Sequence, residues 1–216
     1  MSRLIILVGI MLIIIGACQT TTLSSQFFEV PSGEVLFQDD FSDSGSGWDE
    51  QTEDTSRVLE YFDGYYRIQV EGSHQLLWTG PAMQFSDVHL ETEMIKVIGP
   101  SDDTFGLVCR AEDANNYYFF VISSDGYYGI GKSINGAQEL INAPGMLPAD
   151  EISQGKAKNH LRADCIGERL ELFINGQGIA KVTDSQFTHG RVGILAGTLE
   201  ASENVVLFDN FSVLNP

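Results

Sequence analysis

The 216-residue chain carries 12 Lys and Arg against 30 Asp and Glu, a formal charge of −18, which excludes a nucleic-acid-binding surface and attraction to anionic lipid headgroups. Hydrophobic residues make up 43% of it and aromatics 10%, enough for one sizeable core and too much for a mainly disordered chain. The surplus carboxylates serve either divalent cations or plain solubility.

The chain opens with Arg3, an apolar run from Leu4 to Ile15, and then Gly16-Ala17-Cys18. A dozen apolar residues fall short of the roughly 20 that cross a bilayer as a helix, so the segment reads as an export signal. Ile15-Gly16-Ala17-Cys18 resembles the lipobox of bacterial lipoproteins, which implies that residues 1–17 are removed and that Cys18 is lipidated. The mature protein is then extracytoplasmic, held to the cell envelope by acyl chains that each contribute roughly 0.8 kcal/mol per buried methylene. Losing Arg3 moves the charge to −19. Residues 18–34 form the lipid attachment and a polar tether, low in complexity from Gln19 to Ser25. One domain, 35–216, follows, and the membrane is contacted through the anchor alone.

From Val35 onward, short alternating runs separated by Gly, Asn, Asp or Pro predict an all-β domain. Tyr66, Ile68 and Val70 share one face of a strand while Arg67 and Gln69 take the other. Val88, Leu90 and Met94 point inward, and His89, Glu91 and Glu93 outward. Tyr117 to Ile122 is apolar on both faces, which predicts a central strand covered on both sides or one whose second face lines a ligand groove. A turn is expected between Pro148 and Ser153. Leu161, Ala163 and Cys165 share a face, as do Leu170, Leu172 and Ile174, after which Asn175-Gly176 supplies a tight hairpin. About a dozen strands are too many for one open sheet, so two packed antiparallel sheets, a jelly-roll sandwich, are expected. With Cys18 assigned to lipid, Cys109 and Cys165 remain as an even pair in an oxidising compartment. They form a disulfide if their strands are neighbours; two buried free thiols are the alternative.

Several segments, taken in order, resemble the concanavalin A-like lectin/glucanase superfamily, and within it laminin-G-like and 3-keto-disaccharide-hydrolase-like domains. They are Asp39-Asp40-Phe41 with Trp48, Phe105 to Arg110, Asn116 to Phe119, Asn159 to Arg162, Phe173 to Gly176, Gly190 to Gly193, and Phe208 to Val213. The resemblance implies the sandwich fold for Val35 to Leu214, and it is shared by lectins, adhesion modules and glycosidases. It also implies a structural calcium between the first and last strands, for which Asp39 or Asp40 with Asp209 are the matching residues.

Sugar binding needs flat apolar surfaces and fixed polar groups at their rim. Trp78, Tyr117, Tyr118, Tyr127, Tyr128 and Arg110 supply these, with Asn115, Asn116 and Asp125 in adjacent turns. A groove formed by Tyr117 to Lys132 is the expected site. In glucanases of the superfamily the two catalytic carboxylates lie on one strand. Glu91-Thr92-Glu93-Met94-Ile95-Lys96 has the first acids, but Ile95 or Lys96 stands where the last is needed. The four histidines show no zinc spacing, and there is no nucleophile elbow or phosphate loop. These features point to a non-catalytic, monomeric, glycan-binding module at the cell envelope. The alternatives are a hydrolase or lyase of the 3-keto-glycoside type and a structural or protein-adhesion domain.

Overall fold

A computed structural model describes residues 32–216; the expected export signal, Cys18 and the expected tether from Gln19 to Ser25 lie outside the described residues. The described chain is sixteen strands: β1 (Val35–Asp39), β2 (Arg57–Phe62), β3 (Tyr65–Gly72), β4 (Leu76–Thr79), β5 (Gln84–Phe85), β6 (Val88–Ile98), β7 (Thr104–Asp113), β8 (Asn116–Ser123), β9 (Tyr127–Ile134), β10 (Ala137–Leu140), β11 (Leu147–Pro148), β12 (Asn159–Ile166), β13 (Arg169–Ile174), β14 (Gln177–Thr183), β15 (Gly190–Gly197) and β16 (Ser202–Leu214). All pairings are antiparallel. Sheet I runs β14-β13-β12-β6-β16-β3-β2, with β1 added to β16. Sheet II runs β10-β9-β8-β7-β15-β4, with β11 on β9 and β5 on β15.

The two-residue period of each strand decides which side chains meet between the sheets. On sheet I, Tyr66, Ile68, Val70, Leu90, Met94, Leu161, Ala163, Leu172 and Ile174 turn inward and are fully or almost fully buried. On sheet II, Phe105, Leu107, Tyr118, Phe120, Ile130, Ile194 and Ala196 meet them in one continuous core. At one end of the core, Phe41, Trp48, Tyr61, Tyr66 and Phe211 pack ring against ring at centroid distances of 5.0–6.4 Å. Edge-to-face aromatic pairs of this kind each add about 0.5–1.5 kcal/mol beyond their buried area. Asn175 and Gly176 both take positive φ, as the two-residue turn between β13 and β14 requires.

One irregularity breaks the period. Between Cys109 and Asp113 the β7–β8 register shifts, and Arg110 sits at φ 50°. This is a β-bulge, which lets two successive side chains, Cys109 and Arg110, turn into the interior and returns Ala111 to the outer face. Gly190 lies opposite, where a Cβ would stand 2.5 Å from the Ala111 carbonyl oxygen, so no side chain fits.

Beside the bulge, Cys109 and Cys165 are joined in a disulfide with their Cα atoms 6.9 Å apart. One lies on β7 of sheet II and the other on β12 of sheet I, so the bridge joins facing strands and not hydrogen-bonded neighbours.

Sheet II carries a second, smaller apolar layer on its outer side: Val108, Ala111, Tyr117, Phe119, Val121 and Leu195, with Leu76, Trp78, Leu140 and Met146 against it. The rings of Trp78 on β4 and Tyr117 on β8 lie 5.8 Å apart although two strands separate them. Three strand spacings of about 4.8 Å make roughly 14 Å on a flat sheet, so the two rings lean toward each other over Val108 and Leu195.

The bridge spans a sequence separation of 56 residues, which by chain entropy is worth about 2–4 kcal/mol. The Cys109→Ala/Cys165→Ala double variant is expected to lose that stability while keeping the same β-sheet circular dichroism. Denaturant titrations of oxidised, reduced and double-variant protein measure it, and reduction of the double variant should change nothing.

Candidate functional site

The groove expected over Tyr117 to Lys132 is not open. Tyr117, Phe119 and Val121 do face outward from β8, but they are buried beneath Trp78, Leu140 and Met146. A Cβ on Gly131 would stand 2.2 Å from the Phe119 ring, and one on Gly129 would stand 2.7 Å from Leu140. The outer face of β8 therefore belongs to a covered apolar layer, the first of the two outcomes its two-faced apolarity allows.

Four expected ligand residues, Arg110, Tyr117, Tyr118 and Tyr128, are buried. Arg110 is 2% exposed. Its guanidinium donates to the carbonyls of Ser86 (3.1 Å), Gly167 (2.7 Å) and Phe187 (3.1 Å) and to Asp87 Oδ1 (2.9 Å), so it ties three loops together. Strict alternation from Phe105 would have placed it outside; the bulge turned it in. Tyr118 is fully buried. Its hydroxyl donates to Asp184 Oδ1 (2.5 Å) and accepts from the Phe187 amide (3.1 Å), while burial and the Asp184 charge push the phenol up to about 12. Tyr128 is buried in the main core on the inner face of β9. Asp125 is half-buried and accepts from the Ser123 hydroxyl within its own turn. Tyr117 is 3% exposed, its hydroxyl held above the ordinary tyrosine value by burial. Tyr127 is exposed but far along β9 from the aromatic layer.

Trp78 is different. Half-buried on β4, it lines a groove of about 480 Å³ at the margin of the outer layer of sheet II. Arg191, facing outward from β15 between inward Val192 and its neighbours, lays its guanidinium over the Trp78 ring, Cζ 5.4 Å from the centroid. Its Nε donates to the Pro81 carbonyl (3.2 Å) and its Nη2 to the Gly80 carbonyl, and Asp49 Oδ2 lies 3.5 Å away. The remaining walls come from Asp49 to Gln51, from Arg57 and Leu59 on β2, and from the Glu112 to Ala114 turn. The bulge at Arg110 sets the position of that turn. Aromatic surface, fixed guanidinium donors and exposed carboxylate acceptors thus converge in one groove. Only Trp78 of its polar and aromatic lining was foreseen. The others come from four separate segments of the chain, and the one available signal was the outward phase of Arg191.

Two of the three residues expected to hold calcium, Asp39 and Asp40, line a different cleft, about 530 Å³, together with Gln38, Asn210, Phe211 and Ser212. Asp39 accepts from the Phe41 amide (2.8 Å) and the Ser46 hydroxyl. Asp40 accepts from the Ser42 amide (3.1 Å) and hydroxyl (2.6 Å), bonds that hold its carboxyl below the usual range. Asp209 is held above that range by burial and by the charges of Glu93 and Asp40. Among the described residues no three His, Cys, Asp or Glu side chains converge as metal ligands.

On the outer face of sheet I, Glu91 faces His160 (3.4 Å), and Glu93 accepts from Lys158 (2.7 Å) and Asn210 (3.0 Å). The two acids are paired across strands.

In sequence, no protein-family profile and no curated protein matches the chain. In three dimensions it is similar to a carbohydrate-binding module, CBM66, from Bacillus subtilis: TM-score 0.63, 20% identity, 78% of this chain and 96% of that one. It is also similar to a Bacillus subtilis protein of unknown function with a galectin-like fold, with TM-score 0.60, 13% identity, and 86% and 97% covered. The fold is a galectin-like jelly roll. A third similar structure is LamA from Z. galactanivorans in complex with laminaritriose and laminaritetraose, with TM-score 0.57, 11% identity, and 86% and 100% covered. At these identities the likeness is one of fold, and the jelly roll's function has to be argued from its own groove.

Arg110→Met should leave three loop carbonyls and Asp87 without their donor. We expect a loss of about 3 kcal/mol or more, roughly 6–12 °C in Tm, measured by thermal unfolding. Acid should act through Asp184. Burial pushes its carboxyl up, but bonds from Lys132 (2.7 Å) and Tyr118 outweigh this and leave it below the ordinary value. A carboxyl lowered in the folded state stabilises above its unfolded value of about 4 and loses that contribution as pH falls through its folded value. Tm should therefore drop on acidification below about pH 4, and Asp184→Asn should show a shallower drop from a lower starting point.

Proposed function

We propose that the protein is a carbohydrate-binding module that works outside the cytoplasm, tethered through lipid on Cys18, and that glycan is held in the Trp78–Arg191 groove. The observation that carries this reading is the convergence of Trp78, Arg191 and the carboxylates of Asp49, Glu50 and Glu112 on one open groove. Sugar rings present apolar C–H faces and hydroxyls that both donate and accept. An aromatic edge, a guanidinium with fixed N–H directions and free carboxylates complement each of these. The pinning of Arg191 by two backbone carbonyls and the Trp78 face pre-orders it, which lowers the entropy lost on binding. Similarity to a carbohydrate-binding module and to a laminari-oligosaccharide complex supports a glycan partner. The pairing of Glu91 and Glu93 with His160 and Lys158 gives no support to catalysis by those acids. On this reading the module binds and does not cleave, and it acts as a monomer.

A glycan array probed with the chain from Gln19 onward, followed by calorimetric titration of the best ligand, tests the proposal. Arg191→Ala and Trp78→Ala should each weaken binding at least tenfold. Because both residues also pack against the fold, Asp49→Asn serves as the mild variant and should weaken binding about threefold with Tm unchanged. Tyr127→Ala, outside the groove, should bind normally. An array with no bound glycan, or full binding by the three groove variants, would overturn the assignment.

A further inference from the structure

Building on the glycan reading of the same groove, we propose that its preferred ligand carries a free ammonium group, as in a glycan of amino sugars that are not N-acetylated. The groove's fixed charges do not balance. Four carboxylates line it, Asp49, Glu50, Glu112 and Asp113, against two guanidiniums, Arg57 and Arg191. Their availability separates them further. Asp113 spends both oxygens on its own turn, accepting from the Asn115 amide (2.7 Å) and from Asn116 Nδ2 (3.0 and 2.8 Å). Asp49 has Arg191 at 3.5 Å. The side-chain carboxylates of Glu50 and Glu112 have no hydrogen-bond or ion-pair partner among the described residues.

Arg191, the cation nearest the groove's aromatic floor, is already committed to the carbonyls of Gly80 and Pro81 and to the Trp78 ring. With Arg57 counted as well, the groove keeps a net excess of two negative charges. One neutral sugar hydroxyl would satisfy one acceptor and leave the field in place. An ammonium supplies three donors and a compensating charge, so it can bond Glu50 or Glu112 and offset the groove's negative excess at the same time. The overall charge of −18 adds long-range attraction for such a ligand and repulsion for uronic or sulfated glycans. The contacts are solvent-exposed, so the preference is screened by salt.

The test titrates the chain from Gln19 onward with a glucosamine oligosaccharide, its fully N-acetylated counterpart and a uronic-acid oligosaccharide, at 50 and 500 mM NaCl. We expect the free-amine oligomer to bind about tenfold tighter than the acetylated one at low salt, with the gap closing at high salt and the uronate weakest. The Glu50→Gln/Glu112→Gln double variant should erase the gap, whereas Glu168→Gln/Glu200→Gln, which removes the same charge elsewhere on the surface, should keep it. Equal or tighter binding of the acetylated oligomer overturns the ammonium preference. So does a gap that survives Glu50→Gln/Glu112→Gln or is erased equally by the distant pair. If neutral glycans still bind and lose affinity on Arg191→Ala, the glycan reading stands without the preference; if no glycan of any charge binds, both fail.

Discussion

The bulge at Arg110 is the constraint on which the site depends. A strand with strict alternation would put Cys109 inside and Arg110 outside. The extra residue turns both inward, so the disulfide to Cys165 and the guanidinium that gathers the Ser86, Gly167 and Phe187 carbonyls lie side by side at one end of the sandwich. It also resets the phase of the strand beyond it. Ala111 joins the outer apolar layer, and the Glu112 to Ala114 turn is delivered to the rim of the groove. Stability at the core and geometry at the surface are consequences of one backbone irregularity.

The outer layer of sheet II shows how an apolar surface can be both buried and useful. Phe119 and Val121 are sealed by Leu140 and Met146, so the outer side of the apolar run Tyr117 to Ile122 is not an open face. Only at the β4 margin does the seal stop. There Trp78 meets water at its edge, Arg191 covers one side of its ring, and carboxylates from two loops complete the wall. Large exposed apolar faces promote unwanted association, whereas a narrow aromatic margin framed by charge retains affinity for a mixed ligand.

Charge follows a related division. The outer face of sheet I carries Glu93 and Glu91 in cross-strand pairs with Lys158, His160 and Arg162, so its field is largely neutralised locally. The Asp39–Asp40 corner satisfies its carboxylates through its own turns. The groove on sheet II retains acceptors without partners, and unspent hydrogen-bonding capacity in a concave place is what a ligand can use.

The sequence by itself determined the strands, their inward faces and the sandwich, because a period of two in apolar residues is local information that survives in any tertiary context. Tyr66, Ile68 and Val70, or Leu170, Leu172 and Ile174, could be read directly, as could the Asn175-Gly176 turn. It also left Cys109 and Cys165 as an even pair, but it decided neither between a bridge and two free thiols nor that their strands face each other across the sandwich. The tertiary structure alone decided the site. Arg110 and Tyr118 look like sugar-reading residues until the bulge and the inward phase of β8 bury them against Phe187 and Asp184. Asp49, Glu112 and Arg191 look like ordinary surface charge until sheet curvature and pairing gather them around Trp78. Periodicity is written between neighbours in the chain, whereas a groove is made by residues that are distant in the chain and adjacent only after folding.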